Sequence, residues 1–128
     1  MNQEEIIQFW VRYSDRDFRT MNLLFKQKDY AWSLFLGHLV LEKLLKAFYV
    51  KSVDTKVPLI HDLLRIADKA KLQLSADQRD FLDVVSQFNI RVRYDDYKLK
   101  FHKTCNKTYT GRYINEIKIF RQWLKEQL

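Results

Sequence analysis

The sequence predicts an all-α fold, a single-domain antiparallel up-and-down bundle of four long helices and one short helix. The chain has 128 residues, of which 47% are hydrophobic, so one domain spanning residues 1–128 can build a core without metal or disulfide support. It contains only two Gly and one Pro, and no Asn-Gly or Asp-Gly pair, which disfavours a fold of tight β-hairpins. Apolar residues recur at spacings of three and four, the period of helices.

The first predicted helix covers residues 4–26. Its apolar stripe contains Ile6, Phe9, Trp10, Tyr13, Met21, Leu24 and Phe25. Asp17 falls on the same stripe, so we expect its carboxylate to face the core or a cleft between helices. Asp29 is the predicted N-cap of the next helix.

The second predicted helix, residues 30–51, is apolar around nearly its whole circumference, which is typical of a central helix. His38, Glu42 and Lys46 are spaced by four and form one polar line along it. Buried ionisable groups occur both in structural networks and in ligand sites. The line is therefore either a network with Asp17 and Arg93 on neighbouring segments, or a ligand site.

The remaining elements are predicted from loop and capping residues and from the spacing of apolar residues. Residues 52–60, with Pro58, predict a loop, and residues 61–71 predict a short helix capped by His61 and Asp62. Ser75 is the predicted N-cap of a fourth helix with Phe81, Val84, Val85 and Phe88 on its buried face. The helical period is lost over residues 91–111 and returns in a final helix over residues 110–128.

The net charge of +7 is concentrated in the final third of the chain. Residues 91–128 carry 10 basic and 4 acidic side chains, whereas residues 1–90 carry 13 and 12. Arg grips phosphate with a planar fork, Lys adds diffuse attraction and Tyr stacks on bases. The segment therefore predicts nucleic-acid binding through Lys98, Lys100 and Lys103, close to Arg91, Arg93 and Tyr94. The alternative is a solvated loop whose arginines pair with Asp95, Asp96 or Asp17.

Several kinds of site are excluded or disfavoured. The two glycines cannot form a phosphate-binding glycine loop, and neither GxSxG nor HExxH occurs. His102 and Cys105 alone make a poor metal site on a basic segment, so we expect no metal and no cofactor. The N-terminus lacks a signal-peptide pattern and no apolar run reaches about 18 residues, which predicts a cytoplasmic protein without a membrane partner.

Three blocks together resemble the HEPN family, the "higher eukaryotes and prokaryotes nucleotide-binding" domain. They are FLGHLVLEKLLKA (35–47), PLIHDLL (58–64) and NIRVRYDDY (89–97), and the resemblance covers essentially the whole chain. It implies a bundle of four or five helices, commonly a homodimer, often paired with a small nucleotidyltransferase as toxin and antitoxin. The positions that match the family are Asp17, His38, Glu42, Lys46, His61, Asp62, Arg93 and Tyr94.

The chain departs from the ribonuclease members of that family, which carry an Arg and a His separated by four to six residues. At those positions Arg91 is followed by Asp96, Tyr97 and Lys98, and Arg93 by Lys98, Leu99 and Lys100. The resemblance thus favours a dimeric module that binds a nucleotide or nucleic acid and a nucleotidyltransferase partner. The alternative is a metal-independent ribonuclease toxin that uses Arg93 and His102. Three Trp, seven Tyr and nine Phe also favour a homodimer, because aromatic residues are common at interfaces.

Overall fold

The computed structural model describes all residues 1–128 and contains six helices and no strand. The helices are α1 (Gln3–Lys26), α2 (Tyr30–Ser52), α3 (Leu63–Lys69), α4 (Ala76–Arg91), α5 (Lys100–Thr104) and α6 (Lys107–Gln127). The predicted all-α class is therefore confirmed, with one short helix more than the five predicted.

The four long helices run alternately up and down. Ser14 of α1 donates a hydrogen bond to the carbonyl of Val40 in α2 at 2.8 Å, while Gln3, near the start of α1, donates to the carbonyl of Val50 at 2.9 Å. Phe81 of α4 packs on Phe120 of α6, with ring centroids 5.7 Å apart. Helix α2 contacts all the other helices, which confirms its predicted central position.

The face that α1 buries is rotated from the predicted stripe. Ile7, Ser14 and Met21, spaced by seven, are its buried residues, whereas Phe9 and Tyr13 lie at the surface with exposed fractions of 42% and 41%. Ser14 can be buried because the Val40 carbonyl accepts its hydroxyl proton. Of the predicted stripe, Met21 is buried and Ile6, Trp10 and Phe25 pack partly buried against the core, so the prediction fails only at Phe9 and Tyr13 among its aromatic residues.

Helix α3 is shorter than predicted and runs parallel to α2. The loop of residues 53–62 returns along α2, so that the His61 carbonyl lies beside His38, while the Ala70 carbonyl accepts from Ser52. Asp62 caps α3 as predicted, accepting from the amides of Leu64 and Arg65. The sequence also predicted a capping role for His61. Its ring does not cap α3, because it forms a hydrogen bond with Glu42 of α2 instead.

The caps explain the other helix boundaries. Ser75 and Gln78 form a capping box at the start of α4. Asp29 occupies the N-cap position of α2, but its side chain makes no capping hydrogen bond, contrary to prediction. Asn106 accepts from the amide of Tyr109 and begins α6 three residues earlier than the apolar period indicated.

Candidate nucleotide- or nucleic-acid-binding site

Glu42 lies at the centre of a buried polar group on α2. Its Oε1 is 2.9 Å from Nδ1 of His61, its Oε2 is 3.1 Å from Nζ of Lys46, and Nε2 of His38 lies 3.8 Å from Oε1. We call these four residues the Glu42 cluster. The predicted polar line therefore exists, and the segment before α3 contributes its fourth member. A buried carboxylate requires such partners, since leaving it unpaired in the interior costs several kcal/mol.

The tautomer of His38 follows from its partner. Nε2 is 2.9 Å from the carbonyl oxygen of His61, which can only accept, so Nε2 carries the proton and donates. Nδ1 is buried and has no hydrogen-bond partner. Burial lowers the pKa of His38 below its ordinary value, opposed by the His61 carbonyl and by Glu42. A neutral His38 thus fixes the segment that carries His61 against α2.

His61 is the exposed member of the cluster. Its side chain is 64% exposed, and because Nδ1 donates to the Glu42 carboxylate, Nε2 remains open to solvent. A groove of about 440 Å³ runs from His61 and Asp62, just before α3, along α4 to Asn89 and Arg91. Asp62 and Asp83 also line it, so the groove itself is not uniformly basic.

Arg93 approaches the same region from the end of α4. Its Nε donates to the Asn89 carbonyl at 2.8 Å, and one terminal nitrogen donates to the Asn89 side-chain oxygen at 2.9 Å. The guanidinium lies 5.4 Å from the ring centroid of Phe35 on α2 and 5.2 Å from that of Tyr94. Its charge adds to the lowering of the His38 pKa, after burial, which brings Arg93 into the predicted neighbourhood.

Asp17 belongs to a different pair. It forms an ion pair with Lys43 of α2, whose ammonium also lies 3.4 Å from the ring centroid of Tyr13. The predicted network of Asp17 with the line His38, Glu42 and Lys46 is therefore wrong. The expectation that Asp17 faces a cleft between helices is correct, because its carboxylate is only 15% exposed.

The loop after α4 is organised by Asp95. Its carboxylate accepts from the amides of Asp96, Phe101 and His102 at 2.8, 3.1 and 2.8 Å. Partial desolvation pushes the pKa of Asp95 up, but these amide hydrogen bonds outweigh it and hold the pKa below its ordinary value. The alternative that Asp95 or Asp96 pairs with Arg91 or Arg93 is wrong, since both carboxylates cap backbone amides instead.

His102 and the basic side chains lie on this organised loop and on α5. Nε2 of His102 donates to the Val92 carbonyl at 2.8 Å, so the chain turns back and places His102 beside the end of α4. Lys98, Lys100 and Lys103 are exposed. Tyr94 and Tyr97 are also exposed, with fractions of 70% and 90%. Arg91 lies 4.3 Å from the ring centroid of Phe101.

Comparison with known proteins agrees with this architecture. The sequence profile of the HEPN domain matches residues 7–127. The chain belongs to the HEPN family. The crystal structure of TT1696 from Thermus thermophilus superposes with a TM-score of 0.81 over 100% of both chains at 16% identity, which shows a shared fold. No curated protein matches the sequence.

Membership of the HEPN family supports a module associated with nucleotides or RNA. In this HEPN domain, the sequence did not point to Lys43, a buried cation of α2 that forms an ion pair with Asp17 of α1. The available signal was Asp17 itself, since a carboxylate on an apolar stripe requires a cation on the facing helix. Asn89 was also missed as the residue that holds Arg93.

This HEPN domain contains neither a cluster of metal-ligating side chains nor a helix that could span a membrane. No group of three His, Cys, Asp or Glu side chains is arranged to hold a metal ion. Burial raises the pKa of the Cys105 thiol to about 11. None of the six helices combines the length and the apolarity that a membrane span needs.

Proposed function

We propose that this HEPN domain is a non-catalytic homodimeric module that binds a nucleotide or an RNA phosphate and pairs with a small nucleotidyltransferase, as toxin and antitoxin. The observation that carries the proposal is the Glu42 cluster. It holds the exposed His61 ring beside the groove that reaches Arg91. Arg93 and the exposed Tyr94 follow directly after Arg91, the last residue of α4. Such an array offers cations and an aromatic face to a nucleotide.

The hydrogen bonds of the candidate catalytic groups favour binding over cleavage. Arg93 uses two of its five donors on Asn89 and keeps three for a phosphate, whereas His102, the candidate acid or base, uses its Nε2 proton on the Val92 carbonyl. A general acid or base must reach the reacting proton within about 3 Å. With Nε2 engaged by the backbone, His102 is better placed to fix the loop than to transfer protons.

The extended basic surface supports an anionic ligand. Lys98, Lys100 and Lys103 are exposed, and the nearby carboxylates of Asp95 and Asp96 are used by backbone amides. Exposed apolar side chains at the end of α4, such as Ile90 with 54% exposure, support an interface with a second copy or with the nucleotidyltransferase. Sedimentation at micromolar concentration tests the homodimer directly, and a monomer alone would contradict it.

The function is tested by two measurements on the purified chain. A co-purification assay with a nucleotidyltransferase produced in the same cells, and titration with nucleotides and short RNA at low salt, should each detect binding. Arg93→Gln should weaken binding of the nucleotide or RNA by about tenfold, since a good phosphate contact contributes about 1–3 kcal/mol. Arg65→Gln, which changes an exposed arginine outside the groove, is the matched control. Absence of both kinds of binding would overturn the proposal.

A ribonuclease toxin is the second candidate, because the loop brings His102 back to Val92, the residue before Arg93. Arg93 would then stabilise the charge that develops on the phosphorane, and His102 would move protons during attack by the RNA 2′-hydroxyl. The purified protein, Arg93→Ala and His102→Ala are each incubated with RNA. If the wild type cleaves RNA and both variants do not, the ribonuclease function is supported in place of the binding module. If the wild type leaves the RNA intact, the ribonuclease is excluded.

A further inference from the structure

Three arginines form a row on the outward face of α1, far along the chain from the basic segment at residues 91–103. Arg12, Arg16 and Arg19 follow one another at spacings of four and three, so they project from the same side of the helix. All three are exposed and none forms an ion pair. We call Arg12, Arg16 and Arg19 the α1 arginine row.

The row does not arise from the needs of the fold. Like charges four residues apart destabilise a helix, and here no acidic side chain pairs with them. Asp15 lies in the same surface groove, but its carboxylate already pairs with two cations of α6. Arg121 lies 3.1 Å and Lys125 lies 3.0 Å from Oδ1 of Asp15. The two α6 cations outnumber that carboxylate, so they add to the positive potential of the row instead of cancelling it.

Aromatic rings lie beside the arginines. Phe9 and Tyr13 are exposed by 42% and 41%, they meet edge to face at 5.6 Å, and they line one groove of about 730 Å³ with the arginine row. Exposed rings next to guanidinium groups are what single-stranded nucleic acid uses, since bases stack on rings and phosphates bind the cations. An acidic protein surface would use the charges but has no need of the rings.

We propose that the α1 arginine row binds the phosphate backbone of single-stranded RNA, with Phe9 as the platform on which a base stacks. This surface goes beyond the proposed function, which places the nucleotide or RNA at the Glu42 cluster and at residues 91–103. The row spans about 10 Å of helix, because seven residues rise by about 1.5 Å each, which is long enough for more than one phosphate.

The test is fluorescence anisotropy with a labelled oligouridine RNA of about 12 nucleotides over a range of salt. The triple variant Arg12→Gln, Arg16→Gln, Arg19→Gln should bind at least tenfold more weakly. Its slope of log K against log salt should be shallower by about 2, because each lost phosphate contact on a single strand removes about 0.7. Phe9→Leu should weaken binding about fivefold and leave the salt slope unchanged, since it removes stacking without charge.

The matched control removes the same charge elsewhere. Lys56→Gln, Lys69→Gln, Lys118→Gln changes three exposed lysines that form no ion pair, and it should alter RNA affinity by less than about threefold. Equal losses in the two triple variants would overturn the proposal, as would poly-glutamate that binds as tightly as RNA. Thermal unfolding of each variant verifies the fold, and single Arg16→Gln should shift the salt slope by about 0.7. If RNA affinity falls only in the variant Lys98→Glu, Lys100→Glu and not in the arginine variant, the proposed function is supported and the present proposal is overturned.

Discussion

Glu42 on α2 and His61 before α3 are joined by a hydrogen bond of 2.9 Å between Oε1 and Nδ1, across 19 residues of sequence. This contact links the central helix to the loop that returns along it. It also fixes the imidazole beside the groove and leaves Nε2 without a hydrogen-bond partner. A charge buried for structural reasons thereby orients an exposed side chain of the candidate site.

Removing the charge of Glu42 should destabilise the fold. In Glu42→Gln, Lys46 remains as a buried cation without its counter-ion, with only 7% of its side chain exposed. We expect the free energy of unfolding in urea to fall by about 3 kcal/mol. Glu116→Gln, which breaks the exposed pair with Arg112, is the control and should cost less than about 0.5 kcal/mol. Similar losses in the two variants would contradict the assignment.

The pair of Asp17 and Lys43 should behave as a coupled unit. Asp17→Asn leaves Lys43 largely buried and unpaired, so we expect a loss of about 2 kcal/mol in the free energy of unfolding. Adding Lys43→Met to that variant should recover most of the loss, because no buried charge then remains. A double-mutant cycle measures the coupling. If the losses of the single variants Asp17→Asn and Lys43→Met simply add in the double variant, the pair does not hold α1 to α2 as the geometry indicates.

Stability should fall in acid partly because of His38. Its pKa is lower in the folded state than the ordinary 6.5, so the unfolded chain binds the proton more readily. The contribution is complete above about pH 6.5 and is lost as the pH falls through the folded-state pKa, at no more than about 1.4 kcal/mol per pH unit. Protonation must occur at Nδ1, which is buried without a partner.

His38→Gln removes this titration. The free energy of unfolding, measured between about pH 4.5 and 8, should therefore depend less steeply on pH in the variant than in the wild type. Glu42 and Arg93, which face His38, stay in place in both proteins. Parallel curves for the two proteins would show that His38 does not contribute.

The basic loop should bind RNA through its exposed lysines. Lys98→Glu, Lys100→Glu should weaken RNA binding at least tenfold at low salt, and the salt dependence should become shallower. Both side chains are exposed, so the midpoint of thermal unfolding should be unchanged within about 2 °C. Lys56→Glu, Lys69→Glu reverses the same charge on other exposed positions. RNA binding reduced equally by both pairs would show a response to net charge alone.

The helices and their centre were predictable because helical periodicity and caps are local. The apolar circumference of α2 indicated its central position, and Ser75 and Asp62 marked two helix starts. Helix α5 was not predictable, since its five residues depend on amide hydrogen bonds to Asp95, five residues before the helix begins. The near-neutral sum of residues 1–90 also hid the α1 arginine row, because a total charge does not say which side chains share a face.

The sequence by itself determined the all-α bundle, the HEPN resemblance and the polar line on α2, since each depends on spacing along one segment. Only the tertiary structure decided the pairings: His61 with Glu42, Lys43 with Asp17, and His102 with Val92. Those contacts join residues that lie 10 to 26 positions apart. Burial forces a polar or charged group to find a partner, but the packing of the helices decides which partner lies within reach.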